Sequence, residues 1–167
     1  MQLAVAVSSA ALVLGALAVT PRRALRWLLW LSLIGAIGVI LWLTLALSFG
    51  DAGGTGLNMA PFREIRRGLD SHGGRPQANL LGNVALFVPV GALIAWLARR
   101  WRVAVAGVFG MLLSLGIELT QLSLGRVGDI DDVILNTTGA ILGGLLAVTW
   151  ARVVRRRWAD YDESAGL

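Results

Sequence analysis

The sequence predicts an all-α, polytopic membrane helix bundle of about five transmembrane helices, with the N-terminus outside and the C-terminus cytoplasmic. Three observations predict it. Hydrophobic residues make up 56% of the 167 positions and charged residues only 15%, too little charge to cover a soluble fold of this length. Mean hydropathy is +0.72, and the apolar residues come in long runs rather than as faces of amphipathic elements. The arginines gather in clusters after alternate runs. With no cysteine in the chain, disulfides, thiolate metal sites and thiol nucleophiles are excluded.

Five apolar runs stand out, at about Leu3–Val19, Trp27–Phe49, Leu80–Ala98, Val103–Leu122 and Val133–Ala151. Each is close to the roughly 17–25 residues that cross about 30 Å of hydrocarbon. Ala16-Leu17-Ala18 resembles a signal-peptide cleavage site, but the arginines follow the first run instead of preceding it, so the run reads as a retained anchor. Arg22, Arg23 and Arg26 follow the first run, Arg99, Arg100 and Arg102 the third, and Arg152, Arg155, Arg156 and Arg157 the fifth. An alternating path puts these clusters on one side, which the positive-inside rule makes cytoplasmic. The expected division is an anchor over 1–26, a membrane domain over 27–151 and a basic cytoplasmic tail over 152–167.

The outer connection, 50–79, carries "NMAPFREIRRGL", in which Phe62, Ile65 and Leu69 recur at helical spacing behind Pro61, opposite Arg63, Arg66 and Arg67. This predicts a short amphipathic helix in the membrane interface over 58–69. His72, beside a pair of glycines, reads as solvated rather than catalytic.

The fourth and fifth runs flank "SLGIELTQLSLGRVGDIDDVILNTTGAILGG", polar groups set in an apolar chain. Ser114, Glu118 and Gln121 form one helical stripe, Asp132 and Asn136 another, and Asn79 and Asn83 a third. All three lie near the outer ends of their helices, about 6 Å inside the boundary at 1.5 Å per residue. The intervening turn adds Arg126, Asp129 and Asp131. An outward-facing polar site is therefore expected, built from Asn83, Glu118, Gln121, Arg126, Asp129, Asp132 and Asn136. An ionised Glu118 facing lipid would cost several kcal/mol, so it is expected to pair with Arg126 or to accept bonds from Gln121, Asn83 or Asn136. Gly139 and Gly143, Gly110 and Ser114, and Gly91 and Ala95 permit close helix approach, and Pro89 predicts a kink below Asn83. A purely structural alternative has Asp131 or Asp132 capping the fifth helix and Glu118 with Arg126 holding the fold.

The chemistry stays open at this stage. Asp129 and Asp132 are the carboxylates a hard cation would use, but their spacing matches no calcium loop, and neither metal nor cofactor is expected. Glu118 is the candidate acid or base, without a partnered nucleophile. No phosphate loop and no nucleic-acid motif is present. The Asn136-Thr137-Thr138 glycosylation pattern falls inside a spanning helix and carries no weight.

"NLLGNVALFVPVGALIA", "SLGIELTQ" and "RVGDIDDVILNTTGAILG", in this order, resemble the VanZ-like family of small bacterial membrane proteins, related to a teicoplanin-resistance protein. The resemblance covers about residues 55–148 and leaves out the first run. It marks Asn83, Phe87, Pro89, Gly91, Ser114, Glu118, Gln121, Arg126, Asp129, Asp132, Asn136 and Gly139, with Asn58, Pro61 and Phe62 from "NMAPFREI". It implies a multi-pass cell-membrane protein of the bacterial envelope, linked to glycopeptide antibiotic resistance through an outer-leaflet component. The expected partners are membrane lipids and a lipid-linked cell-wall precursor or lipoglycopeptide, and a homo-oligomer is compatible with the sequence. The leading expectation is recognition of an envelope lipid or peptidoglycan-precursor head group. The alternatives are a small intramembrane enzyme acting through Glu118 and the Asp129/Asp132 cluster, and a membrane scaffold.

Overall fold

The computed structural model describes residues 22–46, 56–71 and 74–164. The elements are α1 (Arg22–Leu41), continued by a π-helical turn (Trp42–Ala46), β1 (Gly56–Asn58), α2 (Arg63–Asp70), α3 (Arg75–Leu97), α4 (Arg102–Ser123), β2 (Val127–Asp129) and α5 (Ile130–Ser164). Among the described residues four helices are long and apolar enough to cross a membrane, over Arg23–Leu45, Pro76–Leu97, Arg102–Ser123 and Ile130–Val154. They match the last four predicted runs; the run at 3–19 and His72 lie outside the described residues.

Helices α3, α4 and α5 form the packed centre, and α1 lies against α3. Small residues set this packing. A Cβ at Gly91 would fall on the Ala140 backbone, one at Gly139 on the Val84 carbonyl, and one at Gly143 on the Val88 carbonyl. The α3 and α5 backbones therefore touch along three turns, as small-residue spacings allow between membrane helices. Gly107 and Gly110 receive Ile141 and Ala140 of α5 in the same way. The core around this seam is Phe87, Val90 and Ile94 of α3, Ala106 and Ile117 of α4, Ala140 of α5, and Leu33 and Ile40 of α1. Many other large apolar side chains, including Leu112, Leu119 and Leu146, are exposed. That reversal of a soluble surface is what a lipid solvent requires. Helix α3 runs through Pro89 without a break.

The four spans alternate in direction, so the bundle has two chemically distinct ends. One holds the π turn, β1, α2, β2, the start of α3 and α5, and the end of α4. The other gathers the start of α1 and α4 with the end of α3, and with them Arg23, Arg26, Arg99, Arg100 and Arg102. Gly125, with φ +77, takes the left-handed conformation that ends α4. The chain then forms β2, which pairs in parallel with β1 in the register Gly56↔Val127, Leu57↔Gly128 and Asn58↔Asp129.

Candidate functional site

The polar end is a set of separate, specific hydrogen bonds rather than one charge cluster. Glu118, on the last turns of α4, accepts the Asp129 backbone N–H at Oε2 (2.7 Å). Its Oε1 takes no bond from any described residue. Arg126 forms no ion pair with it. Arg126 Nη1 (3.0 Å) and Gln121 Nε2 (3.1 Å) both donate to the Thr44 carbonyl oxygen in the π turn. Asn83 Nδ2 donates to Asp132 Oδ1 (2.5 Å), tying α3 to α5. Asn136 Nδ2 donates to Ser114 Oγ (2.8 Å) in the buried α4–α5 seam. The expected pairing of Glu118 with Arg126, Gln121, Asn83 or Asn136 is thus corrected. Each of those four donates to an acceptor other than Glu118, and the turn delivers a backbone N–H to Glu118 instead. Asn79 is exposed and stays outside this network.

The neighbouring aspartates divide the labour. Asp129 immediately precedes α5, and its Oδ1 accepts the Asp131 N–H (2.9 Å), so Asp129 caps the fifth helix and not Asp131 or Asp132. Its Oδ2 accepts Asn58 Nδ2 (3.0 Å) across the strand pair. Asp131 is fully buried and serves a different helix altogether. Its Oδ1 accepts the Phe62 N–H (2.6 Å), and its Oδ2 accepts those of Glu64 (2.8 Å) and Ile65 (3.3 Å). These are the unsatisfied donors at the start of α2. The helix itself begins at Arg63, after Phe62 at φ 66. Phe62 and Leu69 are exposed, and Gly68 packs against Leu80 and Pro76 of α3.

Sequence reasoning missed Asp131 as the residue that docks α2. A signal was present: the segment before the helix, "NMAPF", offers no Ser, Thr, Asp or Asn next to Arg63, so its first N–H groups must find an acceptor elsewhere in the chain.

Beside Glu118 lies a cleft of about 210 Å³, lined by Leu115, Leu119 and Leu122 of α4, Ile130 and Val133 of α5, Met59, Gly128 and Asp129. Its walls are apolar apart from Glu118 and Asp129. It is smaller than the roughly 300–1,000 Å³ of pockets that enclose a drug-sized ligand, so it fits one chain or one head group rather than a whole lipid. Among the described residues no group of three or more His, Cys, Asp or Glu side chains is arranged to hold a metal ion.

Helix lengths, lipid-type surface and a polar network confined to one end define a polytopic helical membrane protein. The family model described as VanZ/LLP1 matches residues 27–152, and the chain belongs to that family. That match takes in all four spans almost entirely. No curated protein matches the chain, and no solved structure does.

Proposed function

We propose that the polar end recognises the head group of an envelope amphiphile, either a lipid or a lipid-linked peptidoglycan precursor, and does so without chemistry. The observation that carries this reading is the apolar cleft ending at Glu118, whose one oxygen is held by the Asp129 N–H while the other has no donor among the described residues. Such a site suits a ligand with an apolar part along Leu119 and Ile130 and a hydroxyl or ammonium group donating to Glu118. The arginine clusters support a cytoplasmic arginine end in a bacterial cell membrane, with the polar end outward. An effect on teicoplanin tolerance follows where the bound head group is the one that antibiotic uses.

The test is native mass spectrometry of the purified protein after equilibration with vesicles carrying a lipid-linked peptidoglycan precursor. Wild type is expected to retain the precursor, and Glu118→Ala to lose roughly 10- to 100-fold in retention, the worth of one hydrogen bond to a charged group. Equal retention by the two proteins contradicts the reading. Glu118-dependent conversion of the precursor to a new mass would replace it with the intramembrane-enzyme alternative.

A further inference from the structure

At the arginine end, a second cavity of about 320 Å³ lies between Trp96 of α3, Arg102 of α4 and Trp150, Ala151 and Val154 of α5. Arg102 is fixed there. Its Nε donates to the Ala95 carbonyl (2.6 Å), and its guanidinium carbon lies 5.6 Å from the centroid of the Trp96 ring. A cation–π contact and one short bond hold the planar group in place, while its Nη nitrogens find no acceptor among the described residues. The site is about 24 Å along α4 from Glu118, at 1.5 Å per residue.

Three features of this cavity point to one ligand chemistry. Exposed Arg99, Arg100 and Arg152 lie at the same end of the bundle, and every carboxylate among the described side chains belongs to the other end. A preoriented guanidinium with spare Nη donors matches the oxygens of a phosphodiester. Trp96 and Trp150 are 43% and 63% exposed, in the interfacial position where indole rings meet lipid head groups. Leu146, one helical turn from Trp150 and 63% exposed, continues an apolar track toward the bilayer centre.

We infer that this cavity is a binding site for an anionic phospholipid of the surrounding bilayer, with the phosphodiester on Arg102 and an acyl chain along Trp150 and Leu146. Basic pockets between membrane helices are a known physical solution for anionic lipid heads. The site is independent of the one at Glu118: its ligand is a bulk lipid, and its residues belong to the opposite end of the same helices.

The experiment is native mass spectrometry of the full-length protein released from nanodiscs of phosphatidylglycerol and phosphatidylcholine. Wild type is expected to keep one phosphatidylglycerol in preference to phosphatidylcholine, and Arg102→Gln to keep about fivefold less, the worth of one arginine near an anionic surface. Trp150→Ala, which removes a largely exposed side chain and so leaves the core intact, should also lower retention, and Glu118→Ala should leave it unchanged. Equal retention of the two lipids by wild type, or unchanged retention in both Arg102→Gln and Trp150→Ala, overturns the inference. So does displacement of the bound lipid by millimolar inorganic phosphate, which would make the site one for a soluble anion. Loss of precursor retention in Glu118→Ala with phosphatidylglycerol retained separates this inference from the function proposed for the cleft.

Discussion

The two ends of the bundle solve the problem of charge in a membrane by opposite means. At the arginine end the cations lie in short connections and at helix termini, mostly exposed, where water and lipid phosphates solvate them. At the polar end the acids are drawn in among the helices, and nearly every buried oxygen is matched to a named donor: Asp131 to three N–H groups of α2, Asp132 to Asn83, Asp129 to Asn58 and to its own helix. The first arrangement tolerates substitution because solvent replaces any partner. The second does not, because each lost partner leaves a polar group stranded in a medium that cannot hydrogen-bond. The exceptions are informative. Glu118 keeps one oxygen beside an apolar cleft, and Asn136 Oδ1 and Thr137 Oγ1 are buried without a partner among the described residues.

The largest effect that would break this contrast lies in the seam both ends share. Gly143→Leu places a side chain where the Val88 carbonyl stands, forcing α3 from α5. Several kcal/mol of destabilisation is expected, beyond the usual 1–3 for overpacking because backbone must move, and it is read as loss of monodisperse protein and a lowered Tm in detergent. Next comes Asp131→Ala, which strands three N–H groups of α2. A cost of roughly 2–4 kcal/mol is expected, seen as faster proteolysis within residues 63–70 while the four spans stay folded. Asp131→Asn, which keeps one acceptor oxygen, should give an intermediate rate.

A smaller effect is expected for the seam between α4 and α5. A double-mutant cycle on Ser114→Ala and Asn136→Ala should give a coupling of about 0.5–1.5 kcal/mol, in line with hydrogen bonds between membrane helices. The smallest belongs to Arg67 and Glu64, a 2.8 Å ion pair on the exposed face of α2 with side chains 56% and 30% exposed. Arg67→Ala should change stability by about 0–0.5 kcal/mol, within reach of salt screening. A cost as large as that of Asp131→Ala would erase the distinction between matched burial and solvated surface.

Much of this was legible in the chain. The runs at 27–49, 80–98, 103–122 and 133–151 became spans with ends shifted by a few residues, because hydrocarbon thickness and apolar length constrain each other. Helical spacing also placed Asn83, Glu118, Gln121, Asp132 and Asn136 at one end, since side chains three and four apart share a face. Partners were not legible. Arg126 with Thr44, Asn58 with Asp129 and Asp131 with Phe62 are 82, 71 and 69 residues apart, and helical periodicity carries no information over such separations. Opposite charge favoured Glu118 with Arg126, but the π turn offered Arg126 the Thr44 carbonyl, and β2 brought an N–H to Glu118. The predicted cap at Asp131 or Asp132 failed for a related reason: of three neighbouring aspartates, only the one immediately before Ile130 has the geometry to cap it.

The proposed function requires that the polar end, with the Glu118 cleft, open outward while the arginine end faces the cytoplasm. The most direct measurement uses single cysteines in this cysteine-free chain, at Met59 on the rim of the cleft and at Arg100 on the opposite end, with a membrane-impermeant thiol reagent added to intact cells. Met59→Cys is predicted to be labelled at once and Arg100→Cys only after the membrane is permeabilised. Labelling of Arg100→Cys in intact cells with Met59→Cys protected would turn the molecule over and contradict recognition of an outer-leaflet head group.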